Sequence, residues 1–452
     1  MAQPNLLFVF GDQWRAQALG YAGDPNAHTP RIDRFAAESA NFVNATAGTP
    51  VCCPFRATLM TGQAPLVHGV MVNDVGITSD AVPLAESFNL AGYHTAYIGK
   101  WHIDGHGRQA FVPPKRRLGF QFWRGFECSH DYNHSFYYAD TPERLLWEGY
   151  DAEAQTACAI DYLHRRPQDR PFALLLSWGP PHAPYHTAPE RFRAKYRPEN
   201  VVLRPNVPEA VADSAREQLA GYYAHIEALD ECFGRLLDEL DALGLAGDTV
   251  VVFASDHGDM LGCQGEWKKQ KPWEESVRIP FLVRWPGGGI RPGSRFERVL
   301  DSIDIMPTLL GICDVPVPCT VQGTDASPLL RGEDVPELDG ALLACHFPFH
   351  QWNPSQGGRE YRGVRTERHT YCRTLGGPWL LYDNQADPYQ TENLVGRPET
   401  ATLQAELDAL LDRKLARIGD EFLPGQEYAR RRGVKLNERG DVPTYPDRGP
   451  TD

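Results

Sequence analysis

No stretch of this chain is apolar for long enough to cross a bilayer, and there is no excess of positive charge to meet nucleic acid or an anionic membrane. Lys and Arg together number 45 against 59 Asp and Glu, and the formal charge of −14 argues against a nucleic-acid or anionic-membrane surface. Internal repeats and long linkers are also missing. The ten cysteines are scattered from Cys52 to Cys372 without the dense spacing of a disulfide framework, so reduced and mostly buried thiols are expected. Cys313 and Cys319 in "CDVPVPC" fit no common zinc spacing and read as two core thiols. The opening "MAQPNLLFVFGDQWR" has no basic leader, and its short apolar run meets Gly11 and Asp12, which reads as a buried strand and not as a signal peptide. A soluble, cytoplasmic protein without nucleic-acid or membrane partners is the resulting expectation.

What is present is a long chain with a regular alternation. At 452 residues it can bury a large core, and one large domain with a smaller one is the natural division. Short β-branched runs alternate with helical patterns, the signature of an α/β fold whose mostly parallel sheet is covered by helices on both faces. The strand candidates are "LLFVF" at 6 to 10, "TAYI" at 95 to 98, "FALLLS" at 172 to 177, "TVVVFAS" at 249 to 255 and "IPFLVR" at 279 to 284. "PRIDRFAAES" and the long amphipathic stretch from Ala215 to Leu243, closed by Gly244, read as helices. After about residue 330 the texture changes to an antiparallel meander over "YRGVRTERHTYCRT" and "WLLYDNQADPYQTENL", then the helix "ATLQAELDALLDRKLARI" and a polar tail. The expected units are 1–330, carrying the chemistry, and 331–452, a smaller α+β unit with an antiparallel sheet, packed side by side.

Ligands of an open α/β sheet gather beyond the carboxyl ends of the strands, and these ends are chemically loaded. The first strand delivers Asp12 and Gln13, and "VVVFAS" delivers Asp256 and His257. Each aspartate taken alone reads as a cap or turn residue; together with an imidazole they form a candidate site for a divalent cation. In "GTPVCCPFRATLMTG" at 48 to 62, Cys52 precedes Pro54 and Arg56 at a helix opening. A side chain at a helix amino terminus beside an arginine lies in a positive field that suits an anionic nucleophile or substrate, the plainer reading being a buried thiol beside a cap.

At these residues the chain resembles the sulfatases of the alkaline phosphatase superfamily. "CCPFRATLMTG" is similar to their C-x-P-x-R signature followed by T-G, "GYHTAYIGKWHIDG" at 92 to 105 to their second signature, and "PPHAPY" to a histidine-bearing loop. "SDHGDMLG" through "WEESVRIPFLVRWPG" and then "DSIDIMPTLLGI", "VQGTDASPLL" and "LLYDNQADPYQTENL" continue the likeness in order along nearly the whole chain. The resemblance implies the alkaline phosphatase-like fold and a metal-dependent hydrolysis of sulfate monoesters. Cys52 is implied to be the residue that a formylglycine-generating maturation enzyme oxidises to an aldehyde acting as its hydrate; Phe55 replaces the usual serine and leaves Cys52, Pro54 and Arg56 of the pattern intact. One hydroxyl of such a hydrate attacks sulfur, and the other loses its proton so that the diol collapses and releases sulfate, a step closed to serine.

The implied metal ligands are Asp12, Asp256, His257 and the hydrated residue 52. Arg56 is implied to orient that hydrate, Lys100 and Lys269 to stabilise developing charge, His182 to protonate the leaving alcohol, His102 to act as the base in breakdown, and Asn73 to bond near the ester. Lys268 is adjacent to Lys269, and a surface lysine is the ordinary reading of either; the register of "PWEES" selects Lys269. Gln13 and His257 depart from the acid-rich pattern of many sulfatases, which moves the expected ion from calcium toward manganese. The same departures resemble choline sulfatases and phosphonate monoester hydrolases, so phosphonate monoesters or phosphodiesters stay open as substrates, as does a noncatalytic anion-binding homologue. Trp14, Trp101, Phe55 and Tyr185 are candidates for an apolar pocket wall, with core packing the alternative. The polar tail is a candidate for contact with a second subunit in a homo-oligomer.

Overall fold

The structure, a computed structural model, describes residues 3–443. Its centre follows from one periodicity. β1 (Asn5–Asp12) sends Leu6, Phe8 and Phe10 to one face and Leu7 and Val9 to the other, because successive side chains of a strand point to opposite sides. A strand apolar on both faces must be covered on both, and a parallel sheet between helix layers does this. The other strands of the large sheet are β2 (Ala40–Phe42), β3 (His94–Lys100), β4 (Phe122–Phe126), β5 (Phe172–Pro181), β6 (Thr249–Ser255), β7 (Phe281–Arg284) and β8 (Arg295–Phe296). Their order is β8-β2-β7-β6-β1-β5-β3-β4. From β6 to β4 every pairing is parallel, whereas β7 runs antiparallel to both β6 and β2.

Two helix layers complete the sandwich. α1 (Pro30–Ala37), α4 (Asp151–Arg165) and α5 (Ala212–Ala242) cover one face, and α2 (Cys52–Thr61), α3 (Leu84–Leu90) and α6 (Ser302–Ile312) the other. α5 places Leu219, Tyr222, Ile226, Leu229, Phe233, Leu236 and Leu240 on its buried stripe, at the three- and four-residue spacing of a helix face. Among the described residues no helix is long and apolar enough to cross a membrane.

The second sheet is antiparallel: β9 (Ala341–Cys345), β10 (Tyr361–Arg365), β11 (His369–Thr374) and β12 (Gly377–Asp383). α7 (Ala401–Ile418) covers one of its faces with Leu407, Leu410, Leu411 and Leu415. The other face packs Tyr361, Cys372 and Leu380 against Val277 and Trp352. Arg365 holds Glu274 with two bonds of 2.9 and 3.2 Å between buried side chains, so the small sheet braces the loop that follows β6.

All ten cysteines are free. Cys313 is in the core, but Cys319 is exposed, which corrects the expectation of two core thiols: its neighbours Pro318 and Thr320 lie on a surface loop. The tail packs on its own chain as far as residue 443. Gly425–Arg432 forms α8, and Val434, Leu436 and Val442 fold back on Phe347 and Phe349 of the same chain. Residues 444–452 of the tail lie outside the described residues.

Candidate active site

Four adjacent parallel strands end on one edge of the sheet, and their ends bring the chemistry together. β1 closes on Asp12 and β3 on Lys100, while His182 follows β5 and Asp256 with His257 follows β6. α2 brings its amino terminus to the same edge, with Cys52 as its first residue and Arg56 one turn later on the same side. Every residue of α2 is buried. Phe55, Leu59 and Met60 anchor it in the core, each burial contributing about 1.5–3 kcal/mol. Gly62, at φ 62°, ends the helix by donating its N–H to the Thr58 carbonyl, a left-handed conformation that favours glycine.

The four implied ligands meet. One donor atom from each of Asp12, Cys52, Asp256 and His257 lies within 4.8 Å of the others, all buried. Cys52 Sγ is 3.2 Å from His257 Nε2 and 3.5 Å from Asp12 Oδ1. His257 Nδ1 lies 2.9 Å from the Gly258 carbonyl, so it carries a proton and turns Nε2 toward the carboxylates. Two buried carboxylates and a correctly oriented imidazole fit a divalent cation. Gln13 lines the same cleft, and its buried Oε1 has no partner in the protein.

Arg56 ties the acids in place. Its Nη2 donates to Asp12 Oδ2 and Asp256 Oδ2 at 3.1 Å each, and its Nη1 donates to the Lys100 carbonyl and Ser177 Oγ at 2.7 Å each. Lys100 Nζ reaches Asp12 Oδ2 at 2.6 Å and stands 3.9 Å from Cys52 Sγ. Lys269 Nζ donates to Cys52 Sγ at 2.9 Å. Burial and Asp12 push the Cys52 thiol up, yet Lys100, Lys269 and His257 together hold it well below the ordinary thiol range. Burial likewise opposes the charge of Asp12, and Lys100, Lys269 and Arg56 overcome it. A site with this field is built for an anionic ligand.

His182 and Lys269 form a pair. His182 Nδ1 lies 2.7 Å from the Ala183 carbonyl, and its Nε2 is 3.1 Å from Lys269 Nζ, so the imidazole donates at one nitrogen and accepts at the other. Burial first, then Lys269, hold its pKa well below the ordinary value, and it is neutral. His130, which the sequence did not single out, stacks on His182 with centroids 4.6 Å apart and planes 5° apart. The remaining candidates stand in the wall of the cleft. Asn73 Oδ1 accepts from the Cys53 backbone N–H at 3.1 Å, and His102 Nε2 lies 3.1 Å from Asp74 Oδ1 without a hydrogen bond to Cys52. Burial pushes the His102 imidazole down, but Cys128, Cys53 and Asp74 raise it well above the usual range, so it stands as an imidazolium.

The cleft over Cys52 has a volume of ≈ 410 Å³ and draws on distant segments: Arg108, His130, Phe349, His350, Asp441 and Val442 all line it. Nothing in their local sequence marks them, since the fold alone brings them together. Trp14, Trp101 and Phe55 are fully buried in the core and form no wall, and Tyr185 gives its hydroxyl proton to Asp259. Gln270 ties the lysine-bearing loop to the second sheet's side: its amide donates to the Phe349 carbonyl and accepts from the Phe349 N–H, both at 3.0 Å.

Comparison with known proteins agrees with this geometry. Residues 4–315 match the sulfatase family model, and residues 262–417 match the model of the N-sulphoglucosamine sulphohydrolase C-terminal region. An ulvan-active sulfatase of Formosa agariphila is 45% identical over 95% of this chain and 84% of its own length. An endo-4-O-sulfatase of Bacteroides thetaiotaomicron is 31% identical over 86% of this chain and 88% of its own. Among solved structures, a 4S-sulfatase from a Bacteroides thetaiotaomicron locus for the metabolism of multiple glycosaminoglycans superposes with TM-score 0.85 at 28% identity, covering 95% of this chain and 99% of that one. With the strand-end acids, the helix-borne cysteine and the lysine pair in one cleft, the chain belongs to the sulfatase family and is a sulfuric ester hydrolase.

Proposed function

We propose that this sulfatase hydrolyses sulfate monoesters of a saccharide, with residue 52 acting as formylglycine hydrate beside one divalent ion, manganese in preference to calcium. The observation that carries the reading is the convergence of Asp12, Cys52, Asp256 and His257 at the amino terminus of α2, with Arg56, Lys100 and Lys269 around them. Bound by these four residues, a divalent ion supplies Lewis acidity, and the mixed nitrogen and oxygen donors suit manganese. The aldehyde supplies a geminal diol.

The chain's own groups do the rest. Lys100 and Lys269 sit where nonbridging oxygens gather charge, and Arg56 keeps Asp12 and Asp256 aligned from behind. Lys269 holds a proton between residue 52 and His182 Nε2, so the leaving alcohol receives its proton from the Lys269–His182 pair. His102, charged and bonded to Asp74, serves as cleft wall, and Asn73 fixes the Cys53 N–H at the helix start. Cys52, Pro54 and Arg56 are all buried, so the maturation enzyme meets this segment before the fold closes over it.

A saccharide leaving group is supported by the cleft, whose wall carries Asp74, Arg108, His130, His350, Gln351 and Asp441 as hydrogen-bonding groups beside apolar Val72, Phe349 and Val442. Hydroxyls find partners among the polar groups, and a sugar or aryl ring packs on the apolar ones. The test coexpresses the chain with a maturation enzyme, measures the mass of the peptide carrying residue 52, and compares a sulfated saccharide with a phosphonate monoester. Conversion at residue 52 with kcat/KM favouring the sulfate is the expected result. Cys52→Ala loses turnover and keeps its thermal transition; full activity in that variant sinks the reading.

A further inference from the structure

We infer that Lys268 forms a second anion subsite in the cleft, selecting sulfate esters whose leaving group carries its own carboxylate or second sulfate. This rests on the sulfate ester reading above and extends it to the leaving group.

The argument starts with charge pairing. Lys100 and Arg108, which line the cleft, are each bonded to a carboxylate: Lys100 to Asp12 at 2.6 Å and Arg108 to Asp74 at 2.7 Å. Lys269 is committed to Cys52 and His182. Among the described residues Lys268 is the remaining lysine or arginine of the cleft wall, and no carboxylate lies within ion-pair distance of its ammonium. A half-buried ammonium whose charge meets Asp259 only through the Tyr185 hydroxyl keeps part of its desolvation cost, which an incoming anion recovers.

Geometry then aims it. In extended backbone, neighbouring side chains point to opposite sides, so consecutive lysines ordinarily do not share a pocket. Here Lys268 has φ 63° and Gln270 has φ 78°, left-handed conformations that cost non-glycine residues about 1–3 kcal/mol. Lys268 and Lys269 therefore both line the cleft. The Lys268 backbone N–H donates to Asp259 Oδ1 at 2.9 Å, which holds the turn. Its ammonium sits 4.4 Å from the centre of the Tyr185 ring and donates to the Tyr185 hydroxyl at 3.2 Å. The same hydroxyl gives its proton to Asp259, so Tyr185 props the lysine with a neutral group and leaves its remaining N–H bonds for a ligand. Lys269 addresses the sulfate being cleaved, and Lys268 beside it addresses an anion on the departing alcohol.

The experiment uses the matured full-length enzyme and matched aryl sulfates, phenyl sulfate against 3- and 4-carboxyphenyl sulfate, with wild type, Lys268→Met and Lys268→Arg. The readout is the ratio of kcat/KM for a carboxylated ester to that for the uncharged one. We expect a ratio of at least about ten in the wild type for one of the isomers, the size of one charge-assisted bond. It falls toward one in Lys268→Met, through KM, and is largely restored in Lys268→Arg. Added salt lowers it in the wild type, as screening requires. A wild-type ratio near one, or a ratio that Lys268→Met leaves unchanged, overturns the subsite. Cleavage of the sulfated saccharide but of none of the three aryl esters overturns the subsite as drawn, and failure on all four overturns the sulfatase reading itself, so the two failures are distinct.

Discussion

Arg56→Lys separates charge from geometry at the centre of the site. The guanidinium spans two carboxylates with one nitrogen and a carbonyl and a hydroxyl with the other, at 3.1 and 2.7 Å respectively. Lysine keeps the charge but has one nitrogen, which cannot occupy both positions. Whichever position it takes, the lysine forfeits the two bonds of the other guanidinium nitrogen, about 1.5–3 kcal/mol each because the donor is charged, for a loss of about 3–6 kcal/mol. That is a large fraction of the ~5–15 kcal/mol that holds a typical protein folded. Because Arg56 aligns Asp12 and Asp256 from behind, metal affinity also falls by about 10–100-fold, the usual effect of losing such a support. Denaturant melts of the metal-free proteins give the first number, and calorimetric titration with manganese at fixed pH gives the second. An Arg56→Lys protein with wild-type midpoint and wild-type manganese affinity refutes the assignment of Arg56 as the strut of the acid pair.

Removal of the ion by dialysis against a chelator abolishes sulfate release and lowers the melting temperature, and manganese restores both; a ligand present at a hundred times its Kd stabilises by about 2.7 kcal/mol. An unchanged melting curve counts against the four-residue cage. Asp151, at the start of α4, gives a pH test distant from the catalytic cleft. Burial, only partly offset by Ser135 and the Ala152 amide, raises its carboxyl from 3.8 to about 8. The unfolded chain loses this proton first, so the stabilisation present below the unfolded value fades as pH rises toward the folded one. Asp151→Asn therefore gains on the wild type between about pH 4 and pH 8, and parallel stability curves across that range rule the effect out.

Much of the fold was legible because it depends on local periodicity. The five expected strands and the helix over 401–418 appear where the residue pattern put them, since two-sided apolar runs and a four-residue leucine spacing leave few alternatives. The short strands Ala40–Phe42 and Arg295–Phe296 were missed: at three and two residues they carry no periodicity, and only their neighbours in the sheet make them strands. The strand-end acids were legible because backbone direction dictates where they emerge, and the C-x-P-x-R segment through its resemblance to the sulfatase signature.

The sequence by itself determined which residues stand at the strand ends and the helix start, because those positions follow from chain order and side-chain period. Tertiary structure alone decided their surroundings. That His182 is neutral and paired with Lys269, that Arg56 bridges two acids, and that His102 turns to Asp74 all depend on distances between segments far apart in the chain. The same holds for the cleft, where Arg108, Phe349, His350 and Asp441 meet from loops with no common local signal. It holds as well for Lys268 and Lys269: adjacent letters cannot say whether they share a pocket, and the left-handed backbone at Lys268 is what places both in it.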